Sequence, residues 1–238
     1  PASPKIAMGL AVAPAMLGAK TRGLYPAPQA VLETMVEGAQ VDYDTATRIE
    51  SRKLARIMVG QNAKSMITAF FFDLNAIRAG KSRPPGFARW KPAKVGVLGA
   101  GMMGAGIAYA NASRGIPTVL KDVSAEKAEA GRAHSRKLTD KAIARGKSDP
   151  VKQSKLLSLI TPTADVANLH GCDLIIEAVF EQRDLKAQVT REAEPRLAPG
   201  GVFASNTSTL PISGLAKASS APERFVGLHF FSPVDRMK

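Results

Sequence analysis

The chain has 238 residues, with 33 lysines and arginines against 20 aspartates and glutamates, a formal net charge of +13 and 45% hydrophobic residues. That length and apolar fraction suit one large domain, or one domain with a helical appendage. The lone cysteine, Cys172, excludes a disulfide scaffold and fits a reducing cytoplasm. No apolar run reaches the roughly 18 residues of a spanning helix, so no membrane span is expected. The charge is concentrated: residues 78–94 hold six basic residues and no acid, and residues 127–155 hold nine basic against three acidic, together +12 of the +13. Such basicity first suggests a nucleic-acid-binding module. Against it, aromatics are only 5%, and no helix-turn-helix, zinc-finger or aromatic-basic RNA motif is present.

Residues 6–19 have the make-up of a short signal-peptide core behind Lys5, but the remaining chain reads as cytosolic, so they are assigned to an upstream domain. Tyr25-Pro26-Ala27-Pro28 reads as an extended, proline-stiffened lead into a short helix that ends near Gly38. Asp44 is expected to cap a second helix over 45–59. A third spans 62–79, with Met66, Phe70, Leu74 and Ile77 on one face and Phe71 and Phe72 off it. A helix apolar on more than one face needs cover on more than one side. Residues 80–93, rich in glycine, proline and basic side chains, read as a linker.

Beyond the linker the rhythm changes. Strands are expected at 95–99, 117–122, 174–180, 202–206 and 224–231, with helices at 102–114, 125–145, 150–158 and 183–197. Apolar runs without period-two alternation, separated by helices, predict an α/β fold with a doubly wound, Rossmann-type parallel sheet preceded by an α-helical segment.

Gly99-Ala100-Gly101-Met102-Met103-Gly104 follows one of those buried strands and opens a helix, and Asp122 closes the next strand. In that context the glycines have separate tasks: Gly99 makes the tight turn, Gly101 admits a pyrophosphate, and Gly104 lets helix and strand pack closely. The helix N-terminus offers unpaired N–H groups to phosphate oxygens. Asp122 would accept hydrogen bonds from ribose hydroxyls and repel a 2′-phosphate, which selects NAD as cofactor over NADP.

Further along stand Glu177-Ala178-Val179-Phe180-Glu181, Lys186, the string SNTSTLPI from Ser205 to Ile212, and GLHFFSPV from Gly227 to Val234. With these, residues 94–238 resemble the NAD-binding domain of 3-hydroxyacyl-CoA dehydrogenases. The segments VEGAQVDYDTATRIESR and AFFFDLNAI are similar to the stretch that precedes this domain in the α subunit of bacterial multifunctional fatty-acid oxidation complexes. There an enoyl-CoA hydratase, a lyase, lies upstream. The resemblance implies residues 1–79 as a helical remnant of a hydratase-type module, 80–93 as linker, and 94–238 as the NAD-binding domain, cut before a helical C-terminal domain.

The same resemblance implies NAD-dependent oxidation of (S)-3-hydroxyacyl-CoA to 3-oxoacyl-CoA in fatty-acid β-oxidation. His229 would be the general base, with an unperturbed pKa near working pH. Ser208 would hold the reacting oxygen beside the nicotinamide, and Met103, Val179, Glu181 and Lys186 would line the cofactor site. Lys141 matches a lysine that contacts coenzyme A from a basic helical hairpin, so acyl-CoA is the expected small-molecule partner. A thiolase subunit and a second copy of the chain are the macromolecular partners it suggests. Glu177 is read as a residue at a strand's carboxyl end, His134 and His170 as surface residues, and no metal site is expected. The glutamate that orients the histidine in these enzymes falls a dozen residues after it, so the 238-residue chain is expected to bind NAD and turn over little substrate alone. A dehydrogenase of another 3-hydroxy acid and a nucleic-acid-binding module are the competing readings.

Overall fold

A computed structural model describes residues 3–88 and 90–237, which separate into two compact units dividing between Ala88 and Arg89. Pro1, Ala2, Arg89 and Lys238 lie outside the described residues, so one basic residue of the expected linker has no structural account.

The first unit is helical: α1 (Pro4–Thr21), α2 (Pro26–Gly38), α3 (Tyr43–Met58), α4 (Gln61–Ile67), a π-helical stretch over Thr68–Asp73, and α5 (Leu74–Arg78). Pro26 opens α2 instead of belonging to an extended lead, because proline at the first helical positions loses only N–H groups that have no partner there. The α3 cap is Asp42, not Asp44: its carboxylate accepts from the Thr45 backbone N–H at 2.9 Å, and Asp44 falls within the first turn. Lys53 joins α3 to α2 through Glu33 (2.7 Å) and Glu37 (2.9 Å). The expected single helix over 62–79 is interrupted by the π-helical stretch, which carries Phe70, Phe71 and Phe72, all more than half exposed.

The second unit is built on six parallel strands in the order β3-β2-β1-β4-β5-β6. Its elements are β1 (Val95–Leu98), α6 (Met102–Ser113), β2 (Thr118–Lys121), α7 (Ala125–Ala144), α8 (Pro150–Ser158), β3 (Ile160–Thr163), β4 (Cys172–Glu177), α9 (Arg183–Ala193), β5 (Leu197–Ser205), α10 (Ile212–Leu215) and β6 (Phe225–Gly227). All five strand pairings are parallel. Helices cover both faces, so consecutive strand residues enter opposite cores. Leu174 and Ile176 pack with Val95, Val97, Ile107 and Leu120, while Ile175 packs with Leu98, Val119, Leu169 and Phe203. This two-sided burial explains why the strands lack alternation.

The edges differ from the sequence expectation. Ile160–Thr163 is an unforeseen strand, since ITPT carries a proline and little apolar character; it sits at the sheet edge, where a missing N–H is tolerated. The run 174–180 stops being a strand at Glu177, leaving Phe180 83% exposed beyond it. The run 224–231 is strand only over Phe225–Gly227, which puts His229 in the loop past the sheet. Cys172 is buried in the second core, and desolvation pushes its thiol up to about 11, so it behaves as a small hydrophobe.

Candidate active site

The loops that follow β1, β2, β4, β5 and β6 all leave the carboxyl edge of the sheet, where open α/β folds bind ligands. Gly99 turns the chain at φ +91°, and a Cβ there would stand 2.8 Å from the Ala178 carbonyl oxygen. A Cβ on Gly104 would lie 1.7 Å from the Gly99 carbonyl oxygen, so α6 crosses the turn at a distance only glycine permits. Gly101 is different: a Cβ there would have no protein atom within 4 Å, and the residue caps α6 without a side chain. Two glycines serve packing, and the third leaves open space before the unpaired N–H groups of the first helical turn.

Asp122 bridges the two halves of this edge. Its Oδ2 accepts from the Ala100 backbone N–H at 2.6 Å and its Oδ1 from the Val123 N–H at 2.7 Å. The carboxylate thus fixes the glycine turn while standing in the cavity wall. That cavity, about 580 Å³, is lined among others by Gly99, Gly101, Met103, Asp122 and Val179. The open Gly101 surface and the helix terminus fit the pyrophosphate of NAD, and Asp122 fits an adenosine ribose.

Glu181, Lys186 and Ser208 stand outside that lining. Lys186 lies on the buried stripe of α9 with Thr190 and Ala193, and its side chain is 2% exposed. Its ammonium lies 2.9 Å from both carboxylate oxygens of Glu177, itself 1% exposed, and 3.2 Å from Glu181 Oε2. Its chemistry is therefore directed at two carboxylates rather than into the cavity. Burial pushes Glu177 above the ordinary carboxylate value, against the opposing pull of the Ser205 hydroxyl and Lys186. For Glu181 desolvation also acts upward, but hydrogen bonds from Thr207 and Lys186 outweigh it and hold the carboxyl down at about 2.

Glu181 Oε1 gathers the SNTST loop: it accepts from the Thr207 hydroxyl, the Ser208 N–H at 3.2 Å, the Thr209 N–H at 3.3 Å and the Thr209 hydroxyl at 3.1 Å. The Ser208 hydroxyl has no partner among the described residues. His229 Nδ1 lies 3.1 Å from the Thr207 carbonyl oxygen, and the neighbouring Phe230 N–H donates to Asn206 Oδ1 at 2.8 Å. The His-Phe-Phe-Ser-Pro-Val segment continues to α6, where Val234 packs on Gly106. Ser208 and His229 are thus brought to one loop cluster. Lys141 is exposed in the last turn of α7, apart from it in sequence and element.

Sequence reasoning missed the role of Glu177 and of Thr207. Glu177 left a trace, an acid closing a largely buried strand with a lysine nine residues on, whereas nothing in the string SNTST indicates which carbonyl meets the histidine. Among the described residues no group of three or more His, Cys, Asp or Glu side chains could hold a metal, and no helix is long and apolar enough to cross a membrane.

Strand order and glycine turn define a dinucleotide-binding domain of the doubly wound class. Over residues 94–238 the chain matches the NAD-binding domain of 3-hydroxyacyl-CoA dehydrogenase, and it belongs to that family. Its structure is similar to FadB2 of Mycobacterium tuberculosis, at 36% identity and a TM-score of 0.58 over 61% of this chain and 51% of that one. It is similar to (S)-3-hydroxybutyryl-CoA dehydrogenase PaaH1 of Ralstonia eutropha, at 34% and 0.59 over 62% and 52%. A third likeness is to 3-hydroxybutyryl-CoA dehydrogenase of Escherichia coli K12, at 33% and 0.60 over 63% of this chain and 32% of that one. The chain spans about half the length of the first two and about a third of the last. NAD is the cofactor these relationships support.

Proposed function

We propose that this chain carries the NAD-binding and proton-transfer half of a dehydrogenase that oxidises (S)-3-hydroxyacyl-CoA to 3-oxoacyl-CoA in fatty-acid β-oxidation. The single observation that supports it best is His229 Nδ1 at 3.1 Å from the Thr207 carbonyl oxygen. A carbonyl oxygen can only accept, so Nδ1 carries the proton and Nε2 presents a lone pair. His229 then removes the 3-hydroxyl proton at Nε2. Ser208, whose hydroxyl has no partner among the described residues, holds the reacting oxygen. NAD, when bound, supplies the hydride acceptor. Gly99, Gly101 and Gly104 shape its phosphate site, Asp122 its ribose site, and Met103 and Val179 wall the cavity. Lys141 on the basic hairpin meets the anionic end of coenzyme A, and the local excess of positive charge draws such a substrate in.

The matched part of this chain covers about half of the first two relatives and about a third of the last, so NAD binding is assigned to residues 94–238 and full turnover to a polypeptide that supplies the rest of their length. The similarity of residues 25–80 to a hydratase-linked segment supports a multifunctional parent with lyase activity, in the cytoplasm, with a thiolase subunit or a second copy as partner. The test has two arms. Calorimetry on the 238-residue chain should detect NAD binding with NADP much weaker. Acetoacetyl-CoA-dependent oxidation of NADH should be slow for this chain and fast for one extended by the part of the relatives that lies outside the match. In the extended protein His229→Gln should lower kcat by about 10²–10⁴-fold, the usual worth of a general base. Full activity of the His229→Gln protein would overturn the assignment.

A further inference from the structure

The reaction just described uses only part of the basic charge on α7 and α8. Between these helices lies a groove of about 320 Å³, lined by Arg132 and Arg136 from α7 and by Gln153, Ser154, Leu157 and Ser158 from α8. Asp140 stands one turn beyond Arg136, the spacing of an intrahelical ion pair, yet its Oδ1 accepts from Gln153 Nε2 at 2.6 Å. The Arg136 guanidinium is left with no carboxylate or hydrogen-bond partner among the described residues. Arg132 gives its Nε and Nη2 to Glu129 Oε1, at 3.1 and 3.0 Å, which leaves its Nη1 side open. Across the groove the Ser154 hydroxyl also has no partner among the described residues. The geometry points to this groove as a binding site for a phosphate monoester, separate from the face of the hairpin that carries Lys141.

Each part of the groove suits that ligand. Two guanidinium groups four residues apart lie one above the other on α7 and make a wall of N–H donors. Ser154 sets an O–H donor on the facing wall. A tetrahedral phosphate, dianionic above pH about 6, can accept from both walls at once, whereas a planar carboxylate saturates a single guanidinium fork. Leu157, 7% exposed, gives the organic part of the ester an apolar contact. The acids beside the groove are already engaged: Glu129 by Arg132, Asp140 by Gln153, and Asp149 by the Lys152 ammonium at 3.0 Å and its backbone N–H at 2.8 Å. Helical geometry sets Lys141 about 180° around α7 from Arg132 and about 140° from Arg136, so a ligand on one face does not meet the other. Gln153 already ties α8 to α7 through Thr139 at 2.8 Å and Asp140. A phosphate spanning the groove adds a second tie and stiffens the hairpin.

The test is a titration of the isotopically labelled 238-residue chain with inorganic phosphate, read by amide NMR in enough sodium chloride to screen unspecific attraction. The shifts should saturate and should cluster at residues 132–136 and 153–158. Arg136→Met keeps an unbranched stem, removes the charge, and should weaken phosphate binding by about tenfold or more, the worth of a charged hydrogen bond. Ser154→Ala removes a neutral donor and should weaken it by about fivefold. Lys141→Met removes the same charge from the opposite face and should leave the phosphate midpoint unchanged. All three side chains are exposed, so the variants should keep the fold. A second arm separates two sources of the phosphate, a free phosphorylated metabolite and the 3′-phosphate of coenzyme A. With CoA or dephospho-CoA present, the groove signals should still respond to phosphate. Displacement by CoA and not by dephospho-CoA would overturn the separateness of the site and give the groove to the substrate. Shifts that never saturate, or a midpoint that Arg136→Met does not move, would overturn the site itself. None of these readouts uses NAD or turnover, so a failure of the dehydrogenase reading would leave the test standing.

Discussion

The glycines of the turn after β1 offer a contrast that separates folding from binding. In Gly104→Ala the new methyl would lie 1.7 Å from the Gly99 carbonyl oxygen, about half an ordinary contact distance, with Val97 Cγ1 at 3.3 Å beyond it. Neither obstacle is a flexible side-chain end: one is backbone whose N–H already pairs with Lys121 at 2.8 Å, the other belongs to a fully buried strand. The start of α6 must retreat from β1, opening the core at Ile107 and Ala108 while straining the turn. Overpacking a rigid site costs about 1–3 kcal/mol, and displacement of backbone puts this case at the upper end or above. In Gly101→Ala the methyl meets nothing within 4 Å, so the fold loses only the small preference of a helix cap for glycine over alanine, below about 1 kcal/mol. The same methyl enters the space proposed for the pyrophosphate, so NAD affinity should fall at least tenfold. Urea unfolding followed by circular dichroism, paired with calorimetric titration of NAD, measures both quantities. A Gly104→Ala protein with the wild-type midpoint, or a Gly101→Ala protein with undiminished NAD affinity, would refute this division of labour.

Three further outcomes are expected. Lys186→Met strands Glu177 as a buried unpaired charge and should destabilise the second unit by about 3–5 kcal/mol near neutral pH, with part of the loss recovered on acidification. Urea midpoints that do not depend on pH in that variant would count against it. Asp122→Ala removes the acceptor of the Ala100 N–H and the carboxylate proposed to meet the ribose, so titrations should show weaker NAD binding and a smaller NAD-to-NADP preference. Glu181 is held at about 2, below the ordinary carboxylate value, so it stabilises the fold above the unfolded pKa and loses that contribution as pH falls towards 2. Glu177 is shifted the other way and its burial penalty relaxes on protonation, so acid should release the 206–209 loop before the central strands. Amide exchange at Ser208 and Thr209, followed from pH 5 downwards, checks the order, and simultaneous loss with β4 would contradict it.

Local chemistry is carried by short strings, and those were legible. The glycine turn, the helix start at Met102, Asp122 at the end of the second strand and the SNTST and HFFSPV strings all depend on neighbours within a few residues. The buried strands β1, β2 and β4 announced themselves because a sheet covered on both faces demands unbroken apolar runs. The Ile160–Thr163 strand did not, because an edge strand is partnered on one side only and needs neither the apolar run nor every N–H. The π-helical stretch over Thr68–Asp73 was hidden because Met66, Phe70, Leu74 and Ile77 keep an α-helical period across it, with only Phe71 and Phe72 off that face.

By itself the sequence determined the cofactor and the fold class, since each follows from residue type at a fixed local spacing. The division of the +13 was also legible, with half on the segment 78–94 and half on the α7–α8 hairpin. Only the tertiary structure decided what those residues meet. Lys186 is read as a cofactor-lining cation from its position in the string, yet burial turns its ammonium onto Glu177 and Glu181, because a charge taken out of water must find an opposite one. His229 gains its partner from Thr207, 22 residues earlier in the chain, through the pairing of β5 with β6. A carbonyl oxygen carries no residue identity, so no reading of side chains could have named it.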